Sequence, residues 1–109
     1  NTQVEKQVIV HGWVKAFSTG ECVIRVWPTT YLIPKGTNYK CKLLYYYNIA
    51  MFPEKTSLPA SAILHFTLVF AGLPADCTHF DFVEIISEPG AFEARNIQRN
   101  EQDVYSLIF

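Results

Sequence analysis

The chain predicts an all-β domain, an antiparallel β-sandwich of about seven strands and Greek-key type, with a small β-barrel as the alternative. Three observations carry that expectation. Residues 62–84 hold two strongly alternating runs joined by one compact turn. Further alternating runs follow at turn spacing along the rest of the sequence, and no internal repeat, low-complexity tract or helical heptad interrupts them. At 109 residues, half of them hydrophobic and 15% aromatic, the chain makes one domain, residues 1–109, able to bury a single core without metals or disulfides.

In the organising run, Leu64, Phe66, Leu68 and Phe70 alternate with Ile63, His65, Thr67 and Val69. A period of two places each set on its own side of a sheet, so the four large apolar side chains form a core face and His65 lies on the other. Burying each is worth roughly 1.5–3 kcal/mol before conformational entropy is subtracted, which makes this strand central. Ala71-Gly72-Leu73-Pro74-Ala75-Asp76 stops the strand, because Pro74 lacks an amide hydrogen. Phe80 and Phe82 restart the alternation. Asp81 then points away from them, while Glu84 falls on the core parity, so the strand ends near Val83 or Glu84 sits at a rim.

From the start of the chain, a polar stretch leads to a strand over residues 7–17, with Val8, Val10, Gly12, Val14 and Ala16 on one parity and Ile9, His11, Trp13, Lys15 and Phe17 on the other. Ser18-Thr19-Gly20-Glu21 has the length of a hairpin turn, so residues 22–27 are expected to pair with that strand. Pro28 makes residues 29–33 an edge continuation or a strand that changes sheets. After the turn Pro34-Lys35-Gly36-Thr37-Asn38, Cys41, Leu43, Tyr45 and Tyr47 share a parity, with Tyr46 opposite. Residues 49–60, with Pro53 and Pro59, read as a connection holding at most one helical turn. Glu88-Pro89-Gly90 is a turn, residues 92–97 a short strand, and residues 104–109 the last one.

Charge excludes some partners. The net charge of −1 offers nucleic acid or an anionic membrane no general attraction, and no apolar run reaches the length of a membrane span. The first 50 residues carry six Lys/Arg and two carboxylates, the remainder three and eight. Interleaving strands mix the two halves, so the asymmetry implies no site. Cys22, Cys41 and Cys77 lie too far apart for a CxxC motif; free thiols are expected, with a Cys22–Cys41 bridge as the alternative.

Cys77-Thr78-His79-Phe80-Asp81 orders a nucleophile, a base and an acid, the composition of a thiol-dependent enzyme using Cys77 and His79. Residues two apart on one strand stand about 6.6 Å apart along its axis, which is beyond hydrogen-bond reach, so no catalytic residue is assigned. His11, His65 and His79, or Asp76, Asp81, Glu84 and Glu88, are metal-ligand types without a metal-binding spacing, so neither metal nor cofactor is assigned. The exposed aromatics are the binding candidates: Trp13, Trp27, Tyr31 and Tyr46, near Arg25, Lys40 and Lys42, offer rings to a protein partner or to sugar. Arg95 and Arg99 read as rim residues on a short edge strand, with an anion clamp as the functional alternative.

The segments Leu64-His65-Phe66-Thr67-Leu68-Val69-Phe70, Leu73-Pro74 and Phe80-Asp81-Phe82-Val83-Glu84 together resemble the immunoglobulin-like, including telokin-like, β-sandwich accessory modules of secreted or lipid-anchored bacterial proteins. The resemblance implies a non-catalytic interaction or accessory module of an extracytoplasmic protein. Such a module binds a protein partner, or another domain of its parent protein, through exposed aromatics or an edge strand. A carbohydrate-binding module is the first alternative, and homo-oligomerisation by edge pairing fits the long apolar strands.

Overall fold

A computed structural model describes residues 7–16, 19–20, 22–87 and 91–109. The chain is all-β, and it takes the barrel-like form of the expected architecture. Its strands are β1 (Val8–Lys15), β2 (Cys22–Ile24), β3 (Thr30–Pro34), β4 (Cys41–Tyr47), β5 (Thr56–Leu58), β6 (Ile63–Phe70), β7 (His79–Glu84), β8 (Glu93–Gln98) and β9 (Val104–Ile108). Seven form one sheet in the order β8-β7-β3-β4-β6-β1-β9, and β2 and β5 form a small ribbon beside it.

The sheet folds on itself. Its two halves, β8-β7-β3 and β4-β6-β1-β9, meet through only two residue pairs, Tyr31↔Lys42 and Leu32↔Cys41. Across the core the halves face one another: Phe70 packs edge-on against Phe82, and Phe80 against Tyr105. The two edge strands, β8 and β9, are consecutive in sequence and joined by the short loop 99–103, so one side of the barrel stays unpaired between them.

The alternation in β6 sets the core as expected, with Leu64, Phe66, Leu68 and Phe70 buried and His65 exposed. Val69 is also buried, although its parity is outward. On β1, Val8, Val10 and Val14 are buried on the expected side, as is Ala16 just after it. Gly12 shares that side because there is no room for more: a Cβ there would stand 2.6 Å from Phe66 Cζ and 3.0 Å from Phe109 Cε2. Glu84 does end its strand, but as a buried residue rather than at a rim.

Several local expectations are corrected. Residues 22–24 do not form a hairpin with β1; they pair with β5, while β1 lies antiparallel to β6 and parallel to β9. The sheet is therefore mixed rather than wholly antiparallel. Two of the four residues of the expected turn, Ser18 and Glu21, and Phe17 before it lie outside the described residues, as does Glu88-Pro89-Gly90. Of the two alternatives for residues 29–33 the change of sheet holds: after β2 in the ribbon the chain enters the large sheet, where β3 is an interior strand between β7 and β4 and not an edge. Residues 49–60 stay within the expected limit of one helical turn, having none, but they are more than a connection. They carry β5 and a bridge from Met51 to Val26.

The largest correction concerns β4. Its register against β6 slips between Leu43 and Tyr45, so that Leu43 pairs with Phe70 but Tyr45 with Val69 and Tyr47 with Thr67. The extra residue, Leu44, is a bulge, and it flips every later side chain to the opposite face. Cys41 and Leu43 face the core, whereas Tyr45 and Tyr47 face out with the outward row of β6.

Candidate functional site

The outer surface divides into two chemically different halves. Over β3, β7 and β8 it is ionic. Asp81 sits there beneath Lys35 and Arg95, with Arg95 also paired to Glu93. The strand β8 bulges at this point, placing Arg95 and Asn96 opposite Asp81, and Asn96 takes the left-handed conformation (φ 56°) that aims its amide at the carboxylate over 2.7 Å. Burial opposes ionisation of Asp81, but the Asn96 amide, Arg95 and Lys35 outweigh it and hold the carboxyl below the usual range.

Over the later part of β4 and over β6, β1 and β9 the outer surface carries no Asp, Glu, Lys or Arg side chain until Lys15. Cross-strand pairing builds it in rows. Tyr45, Val69, Ile9 and Val104 make one; Tyr47, Thr67, His11 and Ser106 the next; His65, Trp13 and Ile108 the third. Tyr45, Tyr47, Ile63, Val104 and Ile108 are all exposed, Ile108 by 70%. An open depression of about 390 Å³ lies within these rows. Trp13 stacks against His65 with ring centroids 6.0 Å apart, His11 Nδ1 is 2.9 Å from the Thr67 hydroxyl, and Asn48 donates to the His65 carbonyl at the end of β4. The centre is thus polar and hydrogen-bonded, and the surround is aromatic or aliphatic.

The four aromatic candidates are not brought together. Trp13 lines the depression. Trp27 instead stacks on Phe52 at 3.8 Å with the Arg25 guanidinium over both rings, and Tyr31 lies on the ionic half with Lys40 Nζ 5.6 Å from its ring centre. Tyr46 pairs with Leu68, on the parity opposite Tyr45 and Tyr47, and is 45% exposed. Tyr45 and Tyr47, which the sequence reading set on the parity of Cys41 and Leu43, complete the surface with Asn48, Ser106 and Ile108, which it passed over. Parity along β1 and β6 placed Ile9, His11 and Trp13 together, and His65 with Thr67, but nothing local disclosed that these two strands are neighbours.

The remaining chemistry-bearing groups are engaged internally. The Cys77 thiol donates to the His79 backbone carbonyl at 3.2 Å, while His79 Nδ1 lies 3.2 Å from the Thr78 hydroxyl, so thiol and imidazole do not meet through a hydrogen bond. Burial raises the Cys77 pKa, with Arg99 opposing, which disfavours the thiolate. Cys22, Cys41 and Cys77 are free, and burial pushes Cys41 up to about 11. Arg99 is no rim residue: its guanidinium grips both oxygens of buried Asp103 at 3.1 and 3.0 Å and donates to the Pro74 carbonyl at 2.6 Å. Tyr105 donates to the same carboxylate at 2.8 Å, and burial helps push its phenol up to about 12. Glu84 faces inward, accepting from the amides of Trp27 and Phe92 at 3.1 and 3.0 Å. Among the described residues no group of three or more His, Cys, Asp or Glu side chains is placed to hold a metal ion, and no helix is long and apolar enough to cross a membrane.

Fold and surface together define an all-β domain whose sheet is closed on all but one side and whose outside is half ionic, half uncharged. No family model, curated protein or solved structure matches the chain.

Proposed function

We propose that this domain is a non-catalytic interaction module that holds a protein partner, or another domain of its parent protein, on the uncharged face of β4, β6, β1 and β9. The observation that supports this reading is the partition of the outer surface. A contiguous face of exposed Tyr45, Tyr47, Val104 and Ile108 beside half-buried Trp13 is unusual on a domain that has no use for it, and its wealth of aromatic rings with few charged side chains matches the composition of binding patches. The depression accepts one anchoring side chain of the partner, which would add a hydrogen bond to His11, Thr67 or Asn48. Binding here buries no unpaired charge, so the desolvation that weakens ionic interfaces is absent.

A second reading, a carbohydrate-binding module, is favoured by one feature: Trp13 stands beside the hydroxyl and amide groups of Thr67, Ser106 and Asn48 in the same depression. Two measurements separate the readings. Capture of proteins from the cells that make this chain should succeed with the wild type, fail with Tyr45→Lys/Tyr47→Lys, and survive Lys35→Glu on the ionic half. A thermal-shift screen against sugars should then leave the midpoint unmoved. Capture indifferent to the two tyrosines, or a saturable rise with one sugar class, overturns the protein-partner reading.

A further inference from the structure

The two edges of the sheet are protected very differently. At β8 the edge carries Glu93 and Arg95, is bent by the bulge at Asp81, and has the Asn96 amide turned to the Asp81 carboxylate. Charge and a bulge are the ordinary defences of an exposed edge. At β9 there are none. Val104-Tyr105-Ser106-Leu107-Ile108 contains no charge, proline, glycine or bulge, and its register against β1 runs unbroken from Val104 to Ile108.

The hydrogen bonds identify which groups this edge offers. Ile9 N–H donates to the Asp103 carbonyl and Phe109 N–H to the Trp13 carbonyl, both at 2.9 Å. In a parallel ladder that assigns the backbone groups of residues 105 and 107 to β1, and turns those of Val104, Ser106 and Ile108 to the open side. The Val104 carbonyl accepts from the Asn100 side chain at 2.9 Å and keeps a second lone pair. Among the described residues nothing else bonds to this side of the strand.

We propose that β9 pairs antiparallel with β9 of a second copy of this chain about a twofold axis through Ser106. That register is self-complementary. Ser106 faces Ser106 of the other copy as a hydrogen-bonded pair, and Val104 faces Ile108, so each backbone group on the open side finds a partner. On the outer surface the apposed side chains are Val104 and Ile108, 36% and 70% exposed in the single chain. No like charges meet, whereas pairing through β8 would have to straighten a bulge held by Asp81. A twofold contact also closes, so association stops at the dimer instead of growing into fibres. The product is a continuous sheet in which the uncharged face of one copy runs into that of the next. This goes beyond the partner-binding reading and does not depend on it.

Sedimentation velocity over a wide concentration range tests the pairing, with amide hydrogen exchange as a second readout. The expected result is a reversible dimer in which exchange at Ser106 and Ile108 slows as concentration rises. Ile108→Lys places a charge at both ends of the pairing, and Ser106→Pro deletes an open-side N–H that β1 does not use. Each should weaken the dimer by about tenfold or more, because each acts twice across the axis. Tyr45→Lys/Tyr47→Lys should leave it unchanged, which separates this inference from binding on the face. A monomer at every concentration overturns the proposal. So does a dimer that survives both β9 substitutions, or one that only the tyrosine substitutions abolish.

Discussion

Replacing Gly12 with alanine puts the packing of the barrel to a quantitative test. The residue lies on the inward side of β1, where an added Cβ would stand 2.6 and 2.8 Å from Phe66 Cζ and Cε2 and 3.0 Å from Phe109 Cε2. The closest two are ring atoms of a side chain that is itself 3% exposed and clustered with Phe92 at 5.9 Å and Phe109 at 6.0 Å, so the ring has little space to retreat. Overpacking of this kind costs about 1–3 kcal/mol. Alanine also reduces the freedom of the unfolded chain, which returns about 0.4–1 kcal/mol. The net expectation is a loss of about 0–2.6 kcal/mol, centred near 1.3 kcal/mol, or roughly 5 °C in the melting midpoint of a domain near this size. Urea denaturation and thermal melts of Gly12→Ala, alone and with Phe66→Leu, measure it. Leucine removes the two closest ring atoms, so the alanine should cost less in that background. A stabilising Gly12→Ala, or an equal effect in both backgrounds, refutes the close approach.

Three other predictions concern buried groups. Asp103→Ala removes both oxygens that the Arg99 guanidinium grips, together with the acceptor of the buried Tyr105 hydroxyl, and should cost roughly 3–5 kcal/mol in urea denaturation; a loss below about 1 kcal/mol would show that the clasp in loop 99–103 is incidental. Burial raises Glu84 above its ordinary 4.5, and the amides of Phe92 and Trp27 with the Thr30 hydroxyl offset this only in part. Its contribution is therefore complete below 4.5 and lost as pH rises through the higher folded value, so the melting point of Glu84→Gln should gain on wild type between 4.5 and neutrality. A constant difference, or one moving the other way, contradicts that assignment. Iodoacetamide mapped by mass spectrometry should label Cys77 no faster than a free thiol near neutral pH, and Cys41 more slowly still; rapid labelling of Cys77 would restore the thiol-enzyme alternative with His79.

Local pattern carried the strands and their faces. The alternation in β6 and β1 declared which side of each is core, and the two phenylalanines of β7 did the same. What pattern could not carry was pairing between strands distant in sequence. Residues 22–24 looked like the return of a hairpin, yet β1 gains more from β6, where eight residue pairs bring Val8, Val10 and Val14 beside Phe70, Leu68 and Leu64. Strict alternation also failed at Leu44, because one bulged residue inverts the tyrosines and turns a supposed core pair into surface. The candidate site was half legible for the same reason. Trp13 stood out by composition, but the face it belongs to is assembled from four strands, and Trp27 and Tyr31 were diverted into contacts with Phe52 and Lys40 that no spacing predicts.

The most direct test of the binding face is site-specific photo-crosslinking in the cells that produce the chain, with the photoreactive residue placed at Tyr47 in one variant and at Lys35 in another. The two positions are exposed on opposite halves of the same outer surface. Adducts to a discrete partner from position 47 and none from position 35 are the predicted result. Adducts from position 35 alone, or equally from both, would contradict the assignment of partner binding to the uncharged face.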